Sequence, residues 1–524
     1  MEFPPPPAAP ASCQAQILQV LATITARNLS TLQGPPLNAF LSLNPSAVDQ
    51  AAALDRARAV GTPAGPLHCL PLAVKDNIDT VDLPSTVGSL ALLGNQPSAD
   101  APMVVRLRAA GAIVVGKTNM DAFAFGIRGL SGSGGRVGNA YDQALSSGGS
   151  SAGSGVAVGA GFVPLALGSD NCGSLRIPAV YNGAVSLRPT QERFDATGLF
   201  PIGFVNGTPG LIARDVPLLE RGLAVIGSDW RSQRATASGA LVGRRVGVLV
   251  AAGREALGPT DPQAARQLDR ARQLLVTAGA ELVEGVRLAD FDTRLDGSFV
   301  KGSAARIDAL LARYPAPRRS WSEICGSGRI PPEWSPAECR SLFSSDPLAE
   351  RRALRRMAAN RQLVQEQLRR QRLDALLYLT DRQGAARAQP SSRLTCWVAS
   401  LAGLPALALP IGLDGRGLPV GVELLGPAGA DEQLVAMAAQ LEQRRGPLSP
   451  PPLPPADPRL AALGPTDQNR IALTLGWLAD SSRRGAALGD LEPARFRALT
   501  QALVHRWPLP WGQPLERGTP APAP

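Results

Sequence analysis

Apolar and polar positions along this chain change their period in blocks, and the blocks alternate. QAQILQVLATIT (14–25) and VDQAAALDRARAV (48–60) place apolar residues at helical spacing. LHCLPLAVKDNID (67–79) opens with a short apolar strand and turns polar at its end. APMVVRLRAAGAIVVGKTNMDAFAFG (101–126) reads as helix, glycine stop, strand and a second helix. SSGGSSAGSGVAVGAGFVPLALGSD (146–170) reads as a Ser/Gly loop, a helix of small residues and the strand VPLAL. Further on, a strand at RRVGVLV (244–250), a helix near 262–278 and a strand near ELVEGV follow, and residues 300–376 are mainly helical. LPALALP (404–410) and LPVGVELLG (418–426) flank DGRG as a hairpin, and DEQLVAMAAQLEQ (431–443) is a helix. Strands alternating with helices predict an α/β fold, a central mixed β-sheet covered on both faces.

The predicted organisation is a Pro-rich leader (1–13), one large domain (14–448), the Pro-rich linker SPPPLPPADP (449–458) and a helical tail (459–524) containing His505, Trp507 and Trp511. The opening MEFPPPPAAPASCQ lacks the pattern of a secretory signal, and no apolar run reaches membrane-spanning length. Six scattered cysteines (13, 69, 172, 325, 339 and 396) form no C-x-x-C pair, which predicts neither a zinc site nor a disulfide framework and favours a reducing cytoplasm.

The net charge of +10 is almost wholly arginine: three lysines, Lys75, Lys117 and Lys301, stand against fifty arginines. The basic run at 350–376 carries Leu354, Met357, Leu363 and Leu368 at helical spacing, with interspersed Glu and Gln and no aromatic interleaving. It reads as a solvated helix, and no nucleic-acid partner is expected. With His68 and His505 the chain's two histidines, a general base near neutrality must come from them, a carboxylate or a lysine with a lowered pKa. Arginine does not release its proton, so the few lysines draw attention.

Three segments match patterns that carry chemistry. GAIVVGKT (111–118) fits the P-loop letter for letter, but a helix precedes it and AIVV is a strand, so Lys117 reads as a structural charge. GSSAG (149–153) fits a nucleophile elbow at Ser151, yet a polar loop precedes it where a strand is needed. The third is a constellation: Lys75, the SSGGSS loop, and Ser174 within GSDNCGSLRIPA (168–179). Small residues around a serine let backbone N–H groups turn toward a carbonyl, and a neutral lysine can supply the base a serine lacks.

At these residues the chain resembles the amidase signature family of serine hydrolases. The resemblance rests on PLAVKDNID (71–79), GAIVVGKTNMDAFA (111–124), SSGGSSAGSGVAVGAG (146–161), GSDNCGSLRIPAVYNGAVSLRPT (168–190) and GLPALALPIGLDGRGLPVGVELLG (403–426). It spans roughly residues 15–445, and Ser150 and Ser174 stand at the family's twenty-four-residue spacing. The resemblance implies a Ser-cisSer-Lys triad, with Ser174 as nucleophile and Ser150, after a cis peptide, bridging it to a neutral Lys75. It implies an oxyanion hole from the loop Asn171, Cys172 and Gly173, support of that loop by Asp170 pairing with Arg176, and no metal or cofactor. Asn171-Cys172-Gly173 replaces the family's commoner Thr-Gly-Gly run, putting a side chain at Cys172.

The family also implies a catalytic core near 65–225, a substrate-shaping region near 225–375 and a return to the core at 376–448. The activity expected is that of a general amidase acting on a small or medium carboxamide; Phe123 and Phe125 are read as core-packing residues first and as candidate acyl-pocket residues second. The alternatives are the glutaminase component of a tRNA-dependent amidotransferase and a weakly catalytic binding protein on the same scaffold. The partners expected are a small-molecule amide, no membrane span, and at most a second copy in a homodimer.

Overall fold

The computed structural model describes residues 12–472, apart from 202, 204, 233–238, 314, 332, 390 and 470. The leader before residue 12 and the tail from 473, with His505, Trp507 and Trp511, lie outside the described residues.

The strands are β1 (Phe40–Leu43), β2 (Pro71–Lys75), β3 (Ile113–Thr118), β4 (Leu130–Ser131), β5 (Gly135–Arg136), β6 (Leu165–Asp170) and β7 (Val185–Arg188). They continue as β8 (Thr208–Ala213), β9 (Arg245–Ala252), β10 (Glu255–Ala256), β11 (Glu281–Leu288), β12 (Ala375–Leu379), β13 (Ala406–Leu413) and β14 (Pro419–Leu425). Among the described residues, twelve of them form one sheet in the order β1-β3-β2-β6-β8-β7-β13-β14-β12-β9-β10, with β11 also on β9; β4 and β5 pair separately. Strands β3, β2 and β6 are mutually parallel, whereas β6 through β14 pair antiparallel down the sheet's middle. The sheet is therefore mixed, as the alternating pattern predicts.

Both faces are covered. On β2 and β6, Leu72, Val74, Leu165 and Leu167 enter one core, and Ala73 and Ala166 enter the other. The first core packs under Pro102–Ala109, Val216–Ile226, Pro262–Thr277 and Asp431–Arg445; the second under Cys13–Arg27 and the small-residue helix Ala152–Gly159. Strands buried on both faces become near-continuous apolar runs, which is why VPLAL and LPALALP lack alternation.

Two features of the organisation are decided by packing. The Pro-rich stretch is docked: the Tyr141 hydroxyl donates to the Ser449 carbonyl, Ser30 Oγ to that of Pro455 at 2.8 Å, and Asp457 N–H to that of Ala26. Polyproline carbonyls are free acceptors, so a linker-like composition can still be held along a helix. In the basic helix Pro347–Arg370, the buried stripe is Ala349, Ala353, Met357, Asn360, Val364 and Leu368; Leu354 is exposed. Small Ala and Asn side chains share the stripe because the helix lies close to its neighbours, and Asn360 Nδ2 donates to the carbonyls of Asp292 and Leu401.

The cysteine reading is corrected. All six pair: Cys13–Cys69, Cys172–Cys396 and Cys325–Cys339, with Cα separations of 5.2, 5.1 and 5.7 Å. Partners lie 56, 224 and 14 residues apart, so the topology brings them together and no short spacing motif announces them. The argument for a reducing compartment loses its premise. Unreduced, denatured protein is expected to take up no iodoacetamide on any cysteine and six equivalents after reduction; peptide mapping that finds a free thiol before reduction would refute a pairing.

Candidate active site

The site forms where parallel strands end. Lys75 is the last residue of β2, Thr118 ends β3, and Ser169 and Asp170 end β6. Carboxyl ends of parallel strands are where open α/β sheets leave room for ligands. Ser150 and Ser151 precede the helix Ala152–Gly159, and Ser174 sits in the turn between β6 and the helix Arg176–Tyr181. The chain thus brings Lys75, Ser150 and Ser174 into one neighbourhood from three separate segments.

Lys75 is fully buried, and its Nζ donates to Ser150 Oγ at 2.8 Å and Ser169 Oγ at 2.9 Å. Burial depresses its pKa to about 7, against the pull of Asp121 and Asp170. Near neutrality this amine is available in its uncharged form. The Gly149–Ser150 peptide is cis. Gly149 is required there by contact: a Cβ on it would lie 2.0 Å from the Asp121 carboxylate and about 3.0 Å from Ile127. That carboxylate, also buried, accepts the backbone N–H groups of Arg128 and Gly129, each at 3.0 Å, and Asp121 N–H returns to the Ser150 carbonyl at 3.2 Å. Burial pushes the Asp121 carboxyl up, with these N–H groups opposing.

Ser174 is buried at its backbone, its carbonyl accepting the Ser151 N–H at 3.1 Å. Its own N–H and Oγ, and the N–H of Cys172, make no hydrogen bond among the described residues. Gly173 N–H, in contrast, donates to Asp170 Oδ1 at 2.9 Å, and Leu175 N–H to Oδ2 at 3.1 Å. Of the expected oxyanion residues, then, Cys172 has an unengaged N–H, whereas Gly173 has its N–H turned to a carboxylate. The reason is the left-handed backbone at Gly173 (φ 80°), which folds the loop back over Asp170.

Beneath the loop lies a buried charge network. Arg176 Nε reaches Asp170 at 3.1 Å and its Nη1 reaches Glu423 at 2.5 Å; Arg188 Nη1 reaches Asp170 at 2.9 Å. Tyr378 donates to Glu423, and Arg176 Nη2 donates to the Cys396 carbonyl and Ser400 Oγ. Burial alone would push the Asp170 carboxyl up; Arg176 and Arg188 outweigh it and hold it far below the usual carboxylate range. Asp170 and Arg176 are therefore bracing residues beneath the loop.

Other readings resolve on contacts. Ser151 Oγ donates to the Ser169 carbonyl and stays buried, which leaves no elbow nucleophile. Lys117 Nζ is buried against Ser85 Oγ (2.8 Å), the Pro84 carbonyl and Asp76, a structural charge as expected. Phe123 does not line a cleft: it is fully buried among Phe200, Trp321 and Trp334, because the left-handed turn at Phe123 and Ala124 sends it inward. Phe125 is 42% exposed and packs edge-on to Trp334 and Phe343. It lines a shallow cleft with Asp121, Arg128, Arg329 and Glu333, and Lys75, Ser150 and Ser174 lie outside that lining. Sequence reasoning missed Ser169, Asp121, Arg188 and Glu423. Glu423 had a signal: a lone carboxylate in the apolar strand PVGVELL needs a buried cation.

The Amidase family profile matches residues 25–435, most of the chain. The chain belongs to the amidase signature family. The A subunit of glutamyl-tRNA(Gln) amidotransferase from Salinispora arenicola is 32% identical over 459 residues, covering 80% of this chain and 92% of that protein. Mandelamide hydrolase of Pseudomonas putida is 33% identical, over 78% of this chain and 85% of that one. Native peptide amidase from Stenotrophomonas maltophilia superposes with a TM-score of 0.72 at 29% identity, over 85% of this chain and 99% of that one. This amidase signature enzyme accordingly shares the fold and the general amide chemistry of its family.

Arg176→Ala in this amidase would leave Asp170 and Glu423 buried without their shared cation. Breaking a buried pair from one side costs about 3–5 kcal/mol. Urea unfolding is expected to show a loss of that size, and a change below about 1 kcal/mol would contradict the network's role.

Proposed function

We propose that this enzyme hydrolyses linear carboxamides to a carboxylic acid and ammonia or an amine, through an acyl-enzyme on Ser174. The observation that carries the reading is the buried Lys75, pKa about 7, hydrogen-bonded to Ser150 beside a serine whose Oγ has no partner among the described residues. A lysine in that state accepts a proton at neutral pH, so the mechanism needs no histidine. His68 makes its contact with Cys13 instead.

In this mechanism neutral Lys75 takes the Ser150 proton as Ser150 takes the Ser174 proton. Ser174 Oγ bonds to the amide carbon, and the carbonyl oxygen gains the charge. The N–H groups of Cys172 and Ser174 are the donors proposed for that oxygen; Asn171 contributes by its carbonyl, held by Asn206 Nδ2 at 2.9 Å, and Gly173 by its turn. The relay then returns its proton to the leaving nitrogen as the C–N bond breaks. Water adds to the ester by the same route, releasing the acid and Ser174. No step calls for a metal or cofactor.

The acyl group proposed is small or medium with an apolar body, taken from a neighbouring cleft where Phe125, Leu130 and Ile330 offer apolar surface and Arg128 faces Glu333; the cleft adjoins the relay through Asp121, which packs on Gly149. A second reading is favoured by one observation, the similarity to the glutamyl-tRNA(Gln) amidotransferases: a glutaminase active only with partner subunits. The basic-helix binding reading is not carried by a comparable observation: Arg356 is paired with Asp296 and Arg361 with the Ala402 carbonyl, while Arg351, Arg352 and Arg355 form an exposed basic face. All three relay residues come from one chain, so a homodimer is not needed for the chemistry. Among the described residues no helix is long and apolar enough to cross a membrane; a cytoplasmic setting is compatible with the reading but must now accommodate three disulfides.

A fluorophosphonate probe is expected to add once, on Ser174, and purified chain alone to release ammonia from simple amides. Labelling should rise as pH passes upward through about 7, where Lys75 loses its proton, and then level off. Lys75→Ala should slow it by about 10²–10⁴-fold. Amide hydrolysis that survives Ser174→Ala would sink the proposal; glutaminase activity seen only with added partner subunits would favour the second reading.

A further inference from the structure

The Cys172–Cys396 bridge meets the active site at its most demanding atom. Cys172 lies two residues before Ser174, and like the Ser174 N–H its N–H makes no hydrogen bond among the described residues. That N–H belongs to the same planar peptide as the Asn171 carbonyl, which Asn206 holds from the opposite side at 2.9 Å. One end of the peptide is thus fixed by a hydrogen bond. The other end, at the Cys172 Cα, is fixed by the disulfide.

The far end of the bridge is stiff. Cys396 caps the short helix Trp397–Ser400, and its carbonyl accepts from Arg176 Nη2 at 3.1 Å, inside the buried charge network. The loop is pressed against it: a Cβ on Gly173 would lie 2.6 Å from Cys396 Cβ. Ile177, Val180 and Ala386 pack around Cys396, while Cys172 remains partly exposed. Cys172 is therefore the more exposed partner of the bridge, and Cys396 the more deeply packed one.

We propose that this bridge is a redox-controlled positioning element for the oxyanion site, resting on the reading of Ser174 as the nucleophile. Closed, it aims the Cys172 N–H at the substrate oxygen. A dithiol reductant attacks the Cys172 sulfur and then closes its own disulfide. Two electrons and two protons pass to the bridge, leaving thiols on Cys172 and Cys396. The two sulfurs then move from about 2 Å apart to roughly 3.5–4 Å. With Gly173 already in contact with Cys396, the loop takes up that movement, and the donor leaves its line. Misplacement on this scale lowers turnover by about ten- to a hundred-fold.

The test uses the full-length oxidised protein, titrated with dithiothreitol. Differential alkylation with peptide mapping follows which bridge opens. Fluorophosphonate labelling of Ser174, and kcat and KM on the amide it cleaves fastest, follow function. The expected result is a fall of about ten-fold or more in labelling rate and kcat, in step with exposure of Cys172 and Cys396, with KM little changed and recovery on reoxidation. Cys396→Ala should start at the reduced level and ignore reductant. Cys325→Ala combined with Cys339→Ala, and separately Cys13→Ala combined with Cys69→Ala, should respond like the natural protein, which separates this bridge from the other two. Should Cys396→Ala fail to fold, the titration of the natural protein decides alone. Labelling and kcat that stay constant while this bridge opens would overturn the inference and leave the serine mechanism standing. No label on Ser174 in either redox state, in folded protein, would overturn both.

Discussion

Arg176 is a charge that cannot be neutralised, and it is fully buried. Everything around the reactive loop follows from that constraint. Its guanidinium must meet carboxylates, so Asp170 and Glu423 are drawn to it from β6 and β14, and Arg188 adds a second cation on Asp170, so that two cations face two carboxylates. The same Asp170 then collects the N–H groups of Gly173 and Leu175, which shapes the turn that presents Ser174. Charge pairing thus ties distant strands together and sets the local path of the loop.

Lys75 shows the opposite solution to the same problem. It is equally buried, but an ammonium can lose its proton, and two hydroxyls in place of carboxylates at hydrogen-bond distance leave it free to do so. Asp121 and Asp170 act on it only through space. An arginine at position 75 would stay charged and demand a partner. In a chain so rich in arginine, the lysine at this position marks chemistry, whereas Lys117, buried beside Asp76, marks structure.

Much of the fold was legible because both sheet faces are buried. Most apolar runs and helical periods, and the DGRG turn, appear where the chain pattern puts them, from Arg245–Ala252 to the hairpin of Ala406–Leu413 and Pro419–Leu425; the second helix expected before residue 126 is instead a single tight turn at Ala122–Ala124, because Phe123 and Ala124 are left-handed. The site was legible in part. Lys75, Ser150 and Ser174 lie in short segments whose residue types are themselves unusual, with small side chains where bulk is normal. Neighbouring aromatics do not reveal which one turns inward, so only the structure separates core Phe123 from exposed Phe125; likewise a helix's buried stripe depends on what it packs against, which leaves Leu354 outside it.

Local order by itself determined the α/β class, and the resemblance of five short motifs pointed to the family and to the three segments that meet at the site, because backbone period and small-residue loops are local properties. Only the tertiary structure decided which cysteines pair, which loop N–H groups remain free, and that Glu423 answers Arg176 across 247 residues. Those outcomes depend on distances between segments far apart in the chain. A disulfide or a buried ion pair forms where the sheet order brings its partners within reach, and no local pattern encodes that meeting.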